Sequence, residues 1–402
     1  MSDLAPASRA PRTLPGATIL QIIPTLADTH FGRTALEIAL ALLQSGARAI
    51  VASGDGPLVS ELQGFGGEWV RLEPETANPL RMRGNARRLE ALIGAERVDL
   101  VHATGLGASR SAAAAKARTG TWVVHSYLHE ARPRRLRDAA YGRALARGDR
   151  LLVPSAYAAG RLVERHRATP ERITVIAPRI DTAKFNPAAV TAGRLTAIRQ
   201  AWRIRRGERV ALVPGRIDPA HGQLDLIDAV RILTNGGLQN LLFVLAGDER
   251  DDPEHARAVV QRVAAQGLGG IVRRVGICPD MAAAYAAADL VVVPAVEPPT
   301  LSRAAGEALA MARPVVASAI GALPEFVLVP PRVPPEQQTG WLTEPGDPTA
   351  LASALALAES VGPEAHRVLG ARGRQLAEAT FAPAEVTRAT LAVYSTVLEG
   401  EI

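Results

Sequence analysis

The chain has 402 residues, long enough for two domains that each bury their own core. Its 48% hydrophobic and 21% charged residues fit a soluble globular protein, and no stretch approaches the roughly 18–20 apolar residues of a membrane span. The single cysteine, Cys278, excludes an internal disulfide and a cysteine-rich metal site, while the net charge of +6 permits phosphates, nucleotides or an anionic membrane surface as partners.

Residues 1–16 (MSDLAPASRAPRTLPG) are polar and Pro-rich, with no apolar segment after the charges. They read as a disordered lead-in rather than a secretory signal, which points to a cytoplasmic protein. The apolar run 17–23 is a first buried strand, 24–33 a loop, and 34–44 a helix with Leu36, Ala39, Leu40 and Leu43 at helical spacing and Gly46 at its end. Strands at 48–52, 69–72, 98–101, 121–126, 150–153 and 173–176 alternate with helices at 58–62, 78–93, 108–119, 134–146 and 156–165. Turn-rich 181–192 is a hinge. After a helix at 193–202, strands at 209–213, 241–246, 271–275, 290–293, 314–317 and 340–343 alternate with helices at 223–234, 254–266, 281–287 and 302–311. Pro-rich 329–338 is a surface loop, and helices at 348–359, 363–380 and 381–398 close the chain. Such alternation predicts the α/β class, with two doubly wound Rossmann-like domains over 17–185 and 193–380.

Two segments concentrate chemistry. At 289–318 (DLVVVPAVEPPTLSRAAGEALAMARPVVAS) a strand, a loop, a small-residue helix and a second strand make a parallel crossover. Ligands of open α/β sheets sit beyond the carboxyl ends of strands, so the loop 295–301 stands where chemistry happens. At 213–222 (VPGRIDPAHG) a Gly-Arg turn follows a strand directly. No Asp-x-Asp pair and no His/Cys cluster suggests a metal.

These segments resemble the family-4 glycosyltransferases. Their acid-x7-acid segment reads roughly EPExFGRxxxEAxAMGRPV, and Glu297, Arg303, Glu307, Ala308, Met311, Arg313 and Pro314 match it. The first acid of the pair does not: Pro299 stands eight positions before Glu307. The 213–222 segment resembles the family's GRLxxxKG turn, whose Arg and Lys clamp the diphosphate of a nucleotide-sugar. Gly215 and Arg216 match, and His221 takes the Lys position. Further matches are the AGD-like turn at Gly247-Asp248, Gly276 at a turn that borders the base, and the GGxxE-like turn at Gly321 and Glu325.

The resemblance implies a GT-B architecture, two domains facing a cleft, with the last helix (381–402) returning to the first domain. It implies an NDP-sugar as substrate rather than a bound cofactor, held by Gly215, Arg216, His221, Gly276, Thr300, Leu301, Ser302 and Glu307. Arg216 and His221 would stabilise the leaving diphosphate, and Glu307 would accept ribose hydroxyls. The main-chain N–H groups of Thr300, Leu301 and Ser302 point where a phosphate would sit, and Thr300 or Ser302 is equally a plain helix cap, a role compatible with that seat. Glu297 is the candidate stand-in for the missing acid. Near the amino terminus the family's Gly-Gly turn is replaced by Ala27–Arg33 sequence in which only Gly32 and Arg33 survive, with His30 and Phe31 adding bulk. The stretch 125–129 (HSYLH) resembles a T-Y-H-G turn whose His contacts the donor sugar; the slot falls on Leu128 or, shifted by one, on His129.

Arg132, Arg134, Arg135, Arg137, Arg143 and Arg147 form a basic stretch that is either a solvated helix face or a peripheral contact with anionic lipid at the inner face of the membrane. Tyr141 is the single aromatic among them, which argues against single-stranded nucleic acid. An active member would transfer the sugar with retention and without a metal to a sugar or lipid-linked acceptor in envelope polysaccharide or glycolipid assembly. The substitutions Pro299 and His221 and the lost Gly-Gly turn are the features of the alternative, a catalytically degenerate homologue that binds a nucleotide or a partner.

Overall fold

Branched apolar runs bounded by turn-formers become strands buried on both faces, as all-parallel sheets require. The computed structural model describes residues 11–76, 78–127 and 141–401. Two compact units share the chain: one runs to Arg179 and takes back the chain from Pro383 onward, and the other spans Ile180–Ala382.

The first unit carries β1 (Thr18–Thr25), β2 (Arg48–Gly54), β3 (Glu68–Arg71), β4 (Leu100–Thr104), β5 (Trp122–Ser126), β6 (Arg150–Val153) and β7 (Ile173–Val175), in the order β3-β2-β1-β4-β5-β6-β7. The second carries β8 (Arg209–Pro214), β9 (Leu241–Ala246), β10 (Val272–Gly276), β11 (Leu290–Val293), β12 (Val315–Ser318) and β13 (Gly340–Thr343), in the order β10-β9-β8-β11-β12-β13. All neighbouring strands pair in parallel. In each sheet the strand order reverses once, between β1 and β4 and between β8 and β11. Such reversals are topological switch points, where a crevice opens beyond the strand ends.

Alternation along β1 feeds two cores. Ile19 and Ile23 pack with Leu36, Ala39 and Leu42 of the His30–Gln44 helix and with Tyr394 and Val397 of the Pro383–Leu398 helix. Leu20 and Ile22 face Leu89, Ile93 and Ala112 on the other side of the sheet. In the second unit Ala211 and Val213 pack on Leu226, Val230 and Leu355. Each such Leu, Ile or Val side chain stabilises its unit by about 1.5–3 kcal/mol. The last helix thus belongs to the first unit, where the Tyr394 hydroxyl lies 2.5 Å from His102 Nδ1.

Several boundaries differ from the sequence expectation. The first helix begins at His30, not at 34, because Thr29 Oγ1 accepts the Gly32 N–H and caps it four residues earlier. Gly32 is required there: a Cβ would lie 2.0 Å from the Ala27 carbonyl oxygen. The expected lead-in is fixed over its last part, since Leu14 is buried and Arg12 pairs with Asp99 at 3.0 Å; residues 1–10 lie outside the described residues. The expected hinge belongs to the second unit. Arg374 donates to the carbonyls of Thr182, Phe185 and Ala310, which fastens its first part. The short Leu323–Phe326 helix was not anticipated. No helix among the described residues is long and apolar enough to cross a membrane.

Candidate functional site

Glycines bring the two chemistry-bearing loops of the second unit together. Gly215 follows β8 with φ +142°, and a Cβ on Gly247 would lie 1.6 Å from the Gly215 carbonyl oxygen. The turns after β8 and β9 therefore stack, joined by the Ile217 N–H to the Asp248 carbonyl at 2.8 Å. Gly222 has φ +68°, and a Cβ there would lie 1.8 Å from the Pro294 carbonyl oxygen. Two main-chain donors of the loop after β11, Val296 N–H and Glu297 N–H, reach the Ala220 carbonyl at 3.0 and 3.3 Å. The loops carrying Arg216, His221 and Glu297 are thus one structure at the β8/β11 switch point.

Asp218 organises the first loop. Its Oδ1 accepts the Ala220 N–H at 3.0 Å and lies 2.6 Å from His221 Nδ1. Its Oδ2 lies 3.5 Å from Arg216 Nε. Arg216 is half-exposed and also stands 4.0 Å from Asp251, a separation that contributes little in water. Gln223 Nε2 donates to the Arg216 carbonyl at 2.7 Å and so holds the turn from the first residue of the Gln223–Asn235 helix.

Glu307 is buried in the Arg303–Ala310 helix. Arg303 donates to its Oε1 at 2.9 Å and the Tyr285 hydroxyl to its Oε2 at 3.2 Å. Burial raises the Glu307 pKa, and the Arg303 charge opposes that rise. Each carboxylate oxygen retains a lone pair for a further donor. Ser302 caps this helix: its Oγ accepts the Ala305 N–H at 3.2 Å, so the helix starts at Arg303 rather than at 302. Thr300 is buried and Leu301 half-buried in the loop before it. The Pro299 carbonyl accepts the Ala322 N–H at 2.8 Å. Glu297 is exposed, and its carboxylate has no hydrogen bond or ion pair among the described residues. Gly276, with φ +69°, ends β10, and its carbonyl accepts the Gly247 N–H at 2.9 Å. Gly247 in turn stacks on the β8 turn at Gly215.

In the first unit, His125 is wholly buried, and burial pushes its pKa down to about 3. Its place is in the core. Leu128, His129 and Arg132–Arg137 lie outside the described residues, and Arg143 and Arg147 are exposed. Arg33 donates to Asp28 at 2.7 Å and to Glu61 at 2.9 Å, so it fixes the start of the first helix. Asp248 is similarly occupied: Arg250 holds its carboxyl well below the usual range. The sequence reading passed over Asp218 and Tyr285. The Asp-Pro dipeptide after Arg216 and Ile217 signalled a turn starter. Nothing local marks Tyr285 as the partner of Glu307, because the contact crosses between helices.

Residues 31–184 match the family model for Glycosyltransferase Family 4, and residues 208–358 match that for Glycosyl transferases group 1. The chain belongs to the family-4 glycosyltransferases. It is 32% identical over 311 residues to the D-inositol 3-phosphate glycosyltransferase of Salinispora arenicola, a match that covers 71% of this chain and 66% of that one. A glycosyltransferase from Rickettsia africae is similar in structure, with TM-score 0.82 at 23% identity over 95% of this chain and 99% of that chain. Anabaena HepE in complex with UDP gives TM-score 0.74 at 18% identity over 95% of this chain and 100% of that chain. These likenesses show the two-domain GT-B fold for this family-4 member, and the Arg216 and Glu307 segments both fall inside the matched 208–358 stretch.

Proposed function

We propose that this family-4 member transfers a sugar from a nucleoside-diphosphate sugar, held by the second unit, to an acceptor held by the first. The observation that carries the reading is the junction of the Arg216–His221 loop with the loop that leads into the Glu307 helix, made by main-chain bonds to Ala220 and by the close approach of Gly222 to Pro294. A diphosphate seated there would meet the Arg216 guanidinium, the His221 imidazole and the N-terminal end of the Arg303–Ala310 helix, while Glu307 accepts from the ribose. Charge gathers on the diphosphate as the glycosidic bond breaks, so cations fixed beside it lower the barrier. The structural relative HepE, solved with UDP and with UDP-glucose, supports the donor class.

The finer reading is transfer with retention and without a metal, the leaving phosphate taking the acceptor proton. Envelope polysaccharide or glycolipid is the proposed acceptor class in a cytoplasmic protein, with the basic stretch 132–147 as a peripheral lipid contact. The inositol-phosphate relative widens that class to phosphorylated polyols. A second reading, a nucleotide-binding homologue that has lost transfer, is favoured by Pro299, which offers no carboxylate to the donor sugar. Release of UDP or GDP from a panel of nucleotide-sugars, with and without acceptor, tests both. Acceptor-dependent release supports the transferase, and nucleotide binding with no release supports the second reading.

A further inference from the structure

We propose that Asp218 is a positioning residue that fixes the tautomer of His221, so that a diphosphate is received by a protonated imidazole and binding takes up a proton. The inference rests on the nucleotide-site reading above and adds a residue and a pH control to it.

The geometry is one-sided. Asp218 Oδ1 lies 2.6 Å from His221 Nδ1, and the carboxylate is mostly buried while the imidazole is about one-third exposed. A carboxylate can only accept, so Nδ1 carries the hydrogen. The bond at one ring nitrogen sets the state of the other. Nε2 of the neutral ring is then a lone pair with no partner among the described residues. The ring lies against Gly215, where a Cβ would stand 3.0 Å from His221 Cδ2, so Gly215 leaves room for the imidazole in this place.

A deprotonated phosphate oxygen, itself only an acceptor, cannot bond to that lone pair. It requires Nε2–H, and with Nδ1–H already held by Asp218 the ring must then be an imidazolium. Asp218 offsets the added positive charge at 2.6 Å. Asp218 is the charged group bonded to the ring; its other oxygen, Oδ2, lies 3.5 Å from Arg216 Nε, and Arg216 is itself 4.0 Å from Asp251 of the loop after β9. The loop after β11 reaches this turn through the main chain of Val296 and Glu297. A lysine at position 221 would be charged throughout. With Asp218-held histidine, the clamp charges itself when the diphosphate arrives.

The test has two readouts. Nitrogen-15 NMR of the free protein at mildly alkaline pH reports the His221 tautomer, and calorimetry of UDP and GDP in buffers of different ionisation enthalpy reports protons taken up. The expected results are an Nδ1–H tautomer in the free protein, uptake approaching one proton above neutral pH, and affinity that falls by up to about tenfold per pH unit there. Asp218→Asn keeps at Oδ1 an acceptor for both the Ala220 N–H and the His221 Nδ1–H and removes only the charge that offsets the imidazolium, so it should keep the tautomer and lose most of the uptake. His221→Lys should abolish uptake and flatten the pH profile. An Nε2–H tautomer in the free wild type overturns the proposal, and so does unchanged uptake in Asp218→Asn, which would leave the Asp218 charge no part in the proton coupling. The Nδ1–H tautomer with no binding of either nucleotide overturns the nucleotide-site reading and the proton coupling with it.

Discussion

Pro299 and Gly321 are pressed against each other. Gly321 has φ +61°, and a Cβ on it would lie 2.5 Å from the Pro299 carbonyl oxygen and 2.7 Å from its ring. With the Ala322 N–H bonded to the same carbonyl at 2.8 Å, this contact sets the path of the loop into the Glu307 helix. The residue that replaces the family's first acid is therefore part of the scaffold. Its main-chain bond is open to any residue type. Pro299→Glu should keep the loop and restore a carboxylate, raising donor hydrolysis by about tenfold or more from a wild-type rate below about 1 s⁻¹. A rate unchanged by Pro299→Glu, with a loss on Glu297→Gln instead, would show that the exposed Glu297 already does this work.

Gly321→Ala tests the contact itself. The left-handed backbone and the approach of Pro299 together should cost about 1–3 kcal/mol of unfolding free energy. Chemical denaturation of the wild type and the variant measures it; equal midpoints would mean the loop yields freely.

Glu307 should recognise ribose. Glu307→Ala should weaken UDP or GDP by about 1.5–3 kcal/mol, the scale of hydrogen bonds to a charged group. The 2′,3′-dideoxy nucleotide should bind the wild type more weakly by a similar amount and should bind both proteins alike. A full dideoxy penalty persisting in the variant would place the ribose elsewhere.

His102 and His125 predict acid lability. Burial pushes their pKa values down to about 4 and about 3, with His125 lowered further by the His102 and Lys116 charges. The unfolded chain takes up protons below about pH 6.5 that the folded chain refuses, so stability rises with pH across this window. The loss begins as pH falls through about 6.5 and ends below the folded values. At pH 5 each histidine should remove about 2 kcal/mol relative to pH 8. His125→Asn should show a smaller loss between those pH values than the wild type; equal losses would place the titrating groups elsewhere.

The fold was legible because its signals are local and repeated. Strand runs such as Leu290–Val293 and helix faces such as Leu36, Ala39 and Leu40 state their environment within a few residues. The start of the first helix was misplaced because Thr29 in a turn-rich stretch reads as a loop until its hydroxyl is seen on Gly32. The site was legible only as far as its motifs. Arg216, His221 and Glu307 stood out through their resemblance to the family's motifs, and the structure adds what a motif cannot carry: Asp218 between Arg216 and His221, Tyr285 on Glu307, and Pro299 on Gly321. Each of these depends on a turn's conformation or a contact between elements. His125, by contrast, lay in a motif-like stretch and proved to be core.

The most direct measurement is calorimetric titration of UDP and GDP into the wild type and into Arg216→Ala. Arg216 is half-exposed and its ion partners are 3.5 and 4.0 Å away, so its removal should leave the fold intact. The account predicts binding of at least one of the two nucleotides to the wild type, weakened by about 1.5–3 kcal/mol in the variant. Equal affinity of the two proteins would contradict it.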